Sequence, residues 1–206
     1  MAIRVFGLTG GLASGKSSVG RMIRARGVPV IDADLLAREV VDRGSDGLAE
    51  VVKAFGEQVL LPDGTMDRAK VAELVFGDGE RRRALNAIVH PRIAALSAQR
   101  IGELDAKGEA LACYEAALLV ENKLVEAFRP LVVVAVPEEV QVARAMARDG
   151  ATEEQARARI AAQHPLSAKV AAADFVIDNS GELAETERRV TEVLAAIRAK
   201  LGLAAG

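Results

Sequence analysis

The sequence predicts an α/β protein with a parallel sheet, and three observations predict it. Short β-branched runs alternate with longer segments of helical period. The first of these runs leads straight into a glycine-rich turn and a helical segment. Half of the 206 residues are apolar, yet there are only five Phe, one Tyr and no Trp, so the interior has to be packed from Ala, Val, Leu and Ile.

Taken in order, Ile3 to Leu8 reads as a buried first strand and Ser17 to Arg26 as the helix behind it. Val28 to Ile31 is a second strand, closed by Asp32-Ala33-Asp34 and followed by a helix to about Asp42. Leu111 to Tyr114 is a weaker strand candidate, and Leu131 to Val136 the clearest buried one. Pro137 with Glu138 and Glu139 opens the next helix, because proline suits the first turn and acidic side chains suit the positive end of the dipole. Phe175 to Ile177 is the last strand, and Asn179-Ser180-Gly181 turns the chain into a closing helix from about Glu182 to Leu201. Two stretches interrupt the alternation. Residues 45–108 are long, charged and helical in period, with a Pro62-Asp63-Gly64 turn and breaks at Gly77 and Gly79, so they are expected to form a helical insertion. Residues 149–165 carry Thr152 and Gln155 at capping-box spacing, then Arg157, Arg159 and Gln163, and are expected to form a short lid. The chain is thus expected to be one unit, 1–206, with two excursions.

Charge and composition exclude several classes. With 27 basic and 29 acidic residues the net charge is −2, which gives no positive field for a nucleic acid backbone. The single cysteine, Cys113, excludes an intramolecular disulfide and a multi-cysteine zinc site, and it fits a reducing, cytoplasmic setting. The N-terminal apolar run meets glycines too soon for a signal peptide, and no run approaches the roughly 18 apolar residues of a membrane span. A soluble cytoplasmic protein with neither nucleic acid nor membrane as partner is therefore expected, its oligomeric state left open.

Gly10-Gly11-Leu12-Ala13-Ser14-Gly15-Lys16-Ser17 matches G-x-x-x-x-G-K-[ST] between an apolar strand and a helix, the context the motif requires. Glycines let successive N–H groups point inward at phosphate oxygens, and the helix N-terminus adds its partial positive charge. Lys16 can reach the outer phosphates and the Ser17 hydroxyl can ligate Mg²⁺. The guanine-reading Asn-Lys-x-Asp of GTPases has only Asn122-Lys123-Leu124-Val125 as its nearest match, which argues against GTP. Phosphoryl transfer to a small molecule needs a carboxylate near the acceptor, cations around the transferring group and exclusion of water. Asp32 and Asp34 follow the second strand at the expected ligand edge of the sheet, with Asp32 open to the alternative of a helix N-cap. Arg144 and Arg148 share a helix face, and Arg157 and Arg159 lie in the expected lid, each open to the alternative of a solvated surface. A kinase of a nucleoside monophosphate or another small alcohol and a nucleotide-gated switch are both compatible with the loop alone.

In order and spacing these residues resemble the dephospho-coenzyme A kinases. The resemblance spans most of the chain: Leu8-Thr9-Gly10-Gly11, Asp32-Ala33-Asp34 with Ala37-Arg38, Leu85-Asn86 with His90-Pro91-Arg92-Ile93, Leu118-Leu119-Val120-Glu121, Arg144 with Arg148-Asp149, Arg159, Gln163 and Ala173 to Gly181. It implies a three-layer P-loop kinase fold with a substrate-binding helical insertion and a lid. It also implies transfer from ATP, with Mg²⁺, to the ribose 3′-hydroxyl of dephospho-coenzyme A, the last step of coenzyme A synthesis. By the same resemblance Asp34 is the catalytic carboxylate, acting with Lys16 and Arg144. Thr9, Gly11, Ala13, Ser14, Gly15, Lys16, Ser17 and Ser18 surround the phosphates, Arg148 joins the ATP site, and Asn179 and Gly181 lie near the adenine. Asp32, Asp34, Arg38, His90, Arg92 and Glu115 belong to the acceptor side, and Ser17 is the metal ligand. The chain departs from the family pattern at Ala13 (usually Gly), Ser18 (usually Thr), Ala117 (commonly Pro) and Glu115 (often an aspartate nearby). Ala13 must either avoid positive φ or accept strain. Glu115 has three readings: contact with the acceptor, contact with a metal-bound water, or solvent exposure.

Overall fold

The β-branched runs form five strands, β1 (Arg4–Gly10), β2 (Val30–Asp32), β3 (Leu111–Glu115), β4 (Leu131–Ala135) and β5 (Phe175–Asp178), in a computed structural model that describes residues 2–204. The helices are α1 (Lys16–Ala25), α2 (Ala33–Glu39), α3 (Asp46–Phe55), α4 (Arg68–Val75), α5 (Gly79–Ala106), α6 (Glu138–Asp149), α7 (Glu153–Ala161), α8 (Leu166–Ala172) and α9 (Leu183–Lys200). The strands hydrogen-bond in the order β2-β3-β1-β4-β5. β1 runs parallel to β3, with Leu8 opposite Glu115, and parallel to β4, with Gly10 opposite Val134. β4 runs parallel to β5, with Ala135 opposite Asp178. From β1 the chain goes to one side for β2 and β3 and to the other for β4 and β5. The carboxyl end of β1 is therefore the switch point at which open α/β sheets receive ligands.

By its internal contacts the chain forms two compact units, one made of the chain up to Ile31 and from Leu104 onward, the other of Asp32–Glu103. In the first, Phe6 and Leu8 of β1 and Val132 and Val134 of β4 pack with Val19 and Ile23 of α1 and with Val190, Val193 and Ile197 of α9. This alternation is what a period-2 strand presents to a helix-covered face. Aliphatic packing replaces aromatic packing, as the composition requires. A smaller cluster joins Val142 and Ala145 of α6 to Ala156 of α7, with Leu12 and Ala13 packed against it.

The second unit has its own core of Val40, Val41, Val51, Phe55, Val59 and Val71, against which Leu85, Ile88, Val89 and Ile93 of α5 pack. Ser45, Asp67 and Asp78 accept from backbone N–H groups at the starts of α3, α4 and α5. Pro62-Asp63-Gly64 is the turn that the sequence predicts, closed by Leu61 N–H donating to the Thr65 carbonyl at 2.8 Å. Gly77 has φ 75° and α5 begins two residues later, so the expected break is there; Pro91, by contrast, is carried inside α5. Outside this unit, α8 was not expected at all. It is seven residues long and has no side-chain cap, so neither periodicity nor a start signal marks it beyond Pro165.

Candidate active site

The phosphate-loop sequence fills the gap between β1, which ends at Gly10, and α1, which begins at Lys16. Gly15 has φ 87°, and a Cβ there would also strike Nδ2 of Asn179, so both backbone conformation and space demand glycine. Ala13 takes φ 55°, the strained alternative, at a cost of about 1–2 kcal/mol. No side chain caps α1 and its first turn holds no acidic residue, which leaves its positive end for an exogenous anion. Ser14 Oγ is buried with no hydrogen-bond partner among the described residues.

Lys16 and Glu115 form an ion pair, Nζ to Oε1 2.8 Å, with the carboxylate side chain 1% exposed and the lysine 10%. Register explains the meeting: Glu115 is the last residue of β3, next to β1 in the sheet. Gly20, one turn into α1, makes the room, because a Cβ there would lie on Glu115 Oε2. Glu115 therefore does not face solvent, and that reading is corrected. Just before the loop, Thr9 is fully buried and its hydroxyl donates to the Ala117 carbonyl at 3.1 Å.

The opposite flank is built from β5 and α6. Asn179, just past β5, donates through Nδ2 to the Ser14 carbonyl at 2.8 Å, while its Oδ1 accepts from Thr186 Oγ1 at 3.0 Å. Its carbonyl accepts from Arg144 Nη2 at 2.9 Å, and Arg144 Nη1 lies 3.8 Å from where a Gly15 Cβ would be. Arg144 is thus half-buried beside the start of α1, its cation aimed at the anion-ready helix end. Arg148 is held elsewhere: Asp149 takes its Nε at 2.7 Å and also Arg159 Nη1 at 2.6 Å. These two guanidinium groups hold the Asp149 carboxyl well below the usual carboxylate range. Arg157 is committed to Glu138, Glu139 and Glu153. Thr152 and Gln155 make both bonds of the predicted capping box. Past α7, Gln163 Oε1 accepts the Leu12 backbone N–H at 3.0 Å, so this segment touches the phosphate loop directly.

In the Asp32–Glu103 unit, Asp32 is the N-cap of α2, its Oδ1 accepting from the N–H groups of Asp34 (2.9 Å) and Leu35 (3.2 Å). Asp34 follows in the first turn with its side chain exposed, and Arg38 and His90 are exposed as well. Arg92 ties α5 to α3 through Glu50, Nη2 to Oε1 2.7 Å. Gly181 is exposed beside Glu185. Ser18 accepts from Arg21 at 3.0 Å.

A family model described as dephospho-CoA kinase matches residues 4–185. A dephospho-CoA kinase of Thermobifida fusca is 47% identical over 195 residues, covering 95% of this chain and 96% of that protein. Among solved structures, TT1252 from Thermus thermophilus superposes with a TM-score of 0.84 at 34% identity, over 95% of this chain and 98% of the other. A dephospho-CoA kinase from Campylobacter jejuni superposes with a TM-score of 0.64 at 27% identity, over 94% and 97%. The chain belongs to the dephospho-CoA kinase family. Its fold is accordingly the α/β P-loop kinase fold.

For this kinase the donor set fits Mg²⁺ of the kind held mainly by phosphate oxygens. Ser17 supplies an exposed hydroxyl at the start of α1, and no cluster of three or more His, Cys, Asp or Glu able to hold a metal exists among the described residues. Sequence reasoning missed two supports of the kinase's loop. Gly20 reads as an ordinary helical glycine, and only the register of β3 reveals what it accommodates. Gln141, buried where a Gly11 Cβ would go, lies on α6 with no motif to mark it. A spacing rule between the loop and the start of the helix after β4 is the signal that could have found it.

Proposed function

We propose a division of labour for this chain, an ATP-dependent kinase of dephospho-coenzyme A acting in coenzyme A biosynthesis. The loop amides from Gly11 to Ser17 and the positive end of α1 hold the β- and γ-phosphates of ATP. Lys16 leaves Glu115 for the outer phosphates and Arg144 neutralises charge on the transferring group. Asp34 orients the ribose 3′-hydroxyl and accepts its proton. The ribose oxygen forms the new P–O bond as the bond from the γ-phosphorus to the bridging oxygen breaks, and ADP leaves. Ser17 would hold Mg²⁺, which would supply charge neutralisation to the phosphates. Asp32 caps the helix that presents Asp34, and Arg38, His90 and Arg92 serve the acceptor side. Thr9, Ala13, Ser14 and Ser18 shape the loop's walls, and Asn179 and Gly181 border the adenine. Arg148 reaches ATP by exchanging Asp149 for phosphate. A cytoplasmic setting accompanies this reading; no helix among the described residues is long and apolar enough to cross a membrane.

The observation that carries the reading is the Lys16–Glu115 pair at the start of α1: a motif lysine held 2.8 Å from a buried carboxylate that it can exchange for phosphate oxygens. Incubation with MgATP and dephospho-coenzyme A, followed by mass spectrometry, is expected to show one added phosphate on the acceptor and none on a nucleoside monophosphate. Asp34→Asn is expected to lower kcat at least about 100-fold with ATP affinity nearly kept, the loss typical of removing an acid–base group. Parental turnover in that variant removes Asp34 from the mechanism.

A further inference from the structure

Lys169 of α8 is fully buried, and its ammonium donates to Glu121 Oε1 at 2.6 Å and to the Ala117 carbonyl at 2.8 Å. Two more bonds extend this centre. Glu121 Oε1 also accepts from the His164 N–H at 3.0 Å, and the Ala117 carbonyl also accepts from Thr9 Oγ1 at 3.1 Å. His164 follows Gln163, whose Oε1 takes the Leu12 N–H at 3.0 Å. The result is a circuit that starts at Thr9 of β1, just before the phosphate loop, and reaches the loop at Leu12. On the way it passes through the turn after β3, Lys169 in the last turn of α8 and the segment that follows α7.

Stability alone does not explain this pair. Burying the Lys169 charge fully and the Glu121 charge down to 14% side-chain exposure costs free energy before their attraction is counted, and apolar residues of similar volume often serve as well or better. Nor is the pair fully satisfied: Glu121 Oε2 is buried without a hydrogen-bond partner among the described residues. What the pair provides is direction. It sets the His164 amide, hence Gln163, in one position against the loop, and it fixes the Ala117 carbonyl under Thr9. Errors of about 1 Å in such placement cost up to about 100-fold in rate.

We propose that Lys169 and Glu121 are positioning residues for phosphoryl transfer, holding the end of the α7 segment on the phosphate loop so that the transferring group meets the acceptor and not water. The proposal rests on the kinase reading above. Its test compares Lys169→Met/Glu121→Leu, which removes both buried charges, with the parent and with Glu121→Gln, which keeps an oxygen acceptor for Lys169 and His164. The readouts are melting temperature, kcat and KM for dephospho-coenzyme A, and the ratio of ADP released to acceptor phosphorylated.

The double variant is expected to melt at or above the parent. Its kcat is expected to stay roughly 10-fold to 100-fold lower, with the ADP-to-product ratio raised severalfold, while Glu121→Gln keeps both values near the parent's. A double variant with parental kcat and a parental ratio overturns the proposal, since a merely structural pair recovers function with stability. If the double variant does not fold, Lys169→Arg carries the test, because it keeps the charge but alters the two bonds. A raised ratio in that variant supports the proposal and a parental ratio overturns it. A parent enzyme that leaves dephospho-coenzyme A unmodified defeats the kinase reading instead, so the two failures are distinguishable.

Discussion

Lys16 is the residue at which chemistry and stability meet. Its partner Glu115 is buried, so Lys16→Ala removes the proposed phosphate ligand and also strands a carboxylate. Beyond abolishing transfer, the substitution is expected to destabilise the protein by about 3 kcal/mol, and adding Glu115→Gln is expected to recover most of that loss. Urea unfolding of the three proteins checks this; an unchanged midpoint in Lys16→Ala contradicts it. Gly20 gives a second, less intuitive expectation. In a helix interior, Gly→Ala ordinarily stabilises by about 1 kcal/mol. Here the new methyl lands on Oε2 of the buried Glu115, whose other oxygen is paired with Lys16, so a shift would disturb that pair and Gly20→Ala is expected to destabilise by about 1–3 kcal/mol. A rise in melting temperature contradicts the packing described. At this scale the sequence was legible where a motif dictates backbone conformation, as at Gly15 with its positive φ. It was silent where a role comes from register, as at Gly20, because nothing local distinguishes a glycine that makes room from one that does not.

Among the elements, the strands and their following helices were readable because burial on both faces imposes continuous β-branched runs. The Leu131–Val136 run exceeds β4 by one residue, and the Ile3–Leu8 run stops two residues short of the end of β1 because Thr9 and Gly10 extend pairing into the motif itself. α7 was marked by its capping box, whose two bonds are both present. α8 left no trace, since its one informative residue, Lys169, reads as surface until the Glu121 carboxylate is seen beside it. The α7 capping box also supports a local prediction. Thr152→Ala removes the hydroxyl that accepts the Gln155 N–H at 3.2 Å, which is expected to cost about 1 kcal/mol, confined to that helix. Hydrogen exchange is expected to show roughly 5-fold less protection in α7 and no change in β1 or β4. Uniform loss across the sheet contradicts a locally stabilised segment.

For the whole molecule, the acid side of the stability profile depends on Asp174. Burial works to raise its pKa, but Lys200 at 2.5 Å, Arg129 at 2.8 Å and the Leu131 N–H at 2.8 Å outweigh it and hold the carboxyl at about 2. The folded-state value lies below the unfolded one, so this stabilisation is fully present above about pH 4 and is lost as pH falls toward 2. It amounts to about 2 kcal/mol. Asp174→Asn is expected to be less stable than the parent by that amount at pH 7, the gap closing near pH 2; a gap independent of pH contradicts the assignment. The same ion cluster joins β4, β5 and α9 at the edge of the sheet away from the loop, so it is expected to leave transfer itself unaffected. The phosphate loop can be tested most directly by a crystal structure of the protein with a non-hydrolysable ATP analogue, Mg²⁺ and dephospho-coenzyme A. The expected result is the triphosphate lying along the amides of Gly11 to Ser17, with Lys16 Nζ moved from Glu115 onto phosphate oxygens. A triphosphate bound elsewhere, with Lys16 still paired to Glu115, is the contrary result.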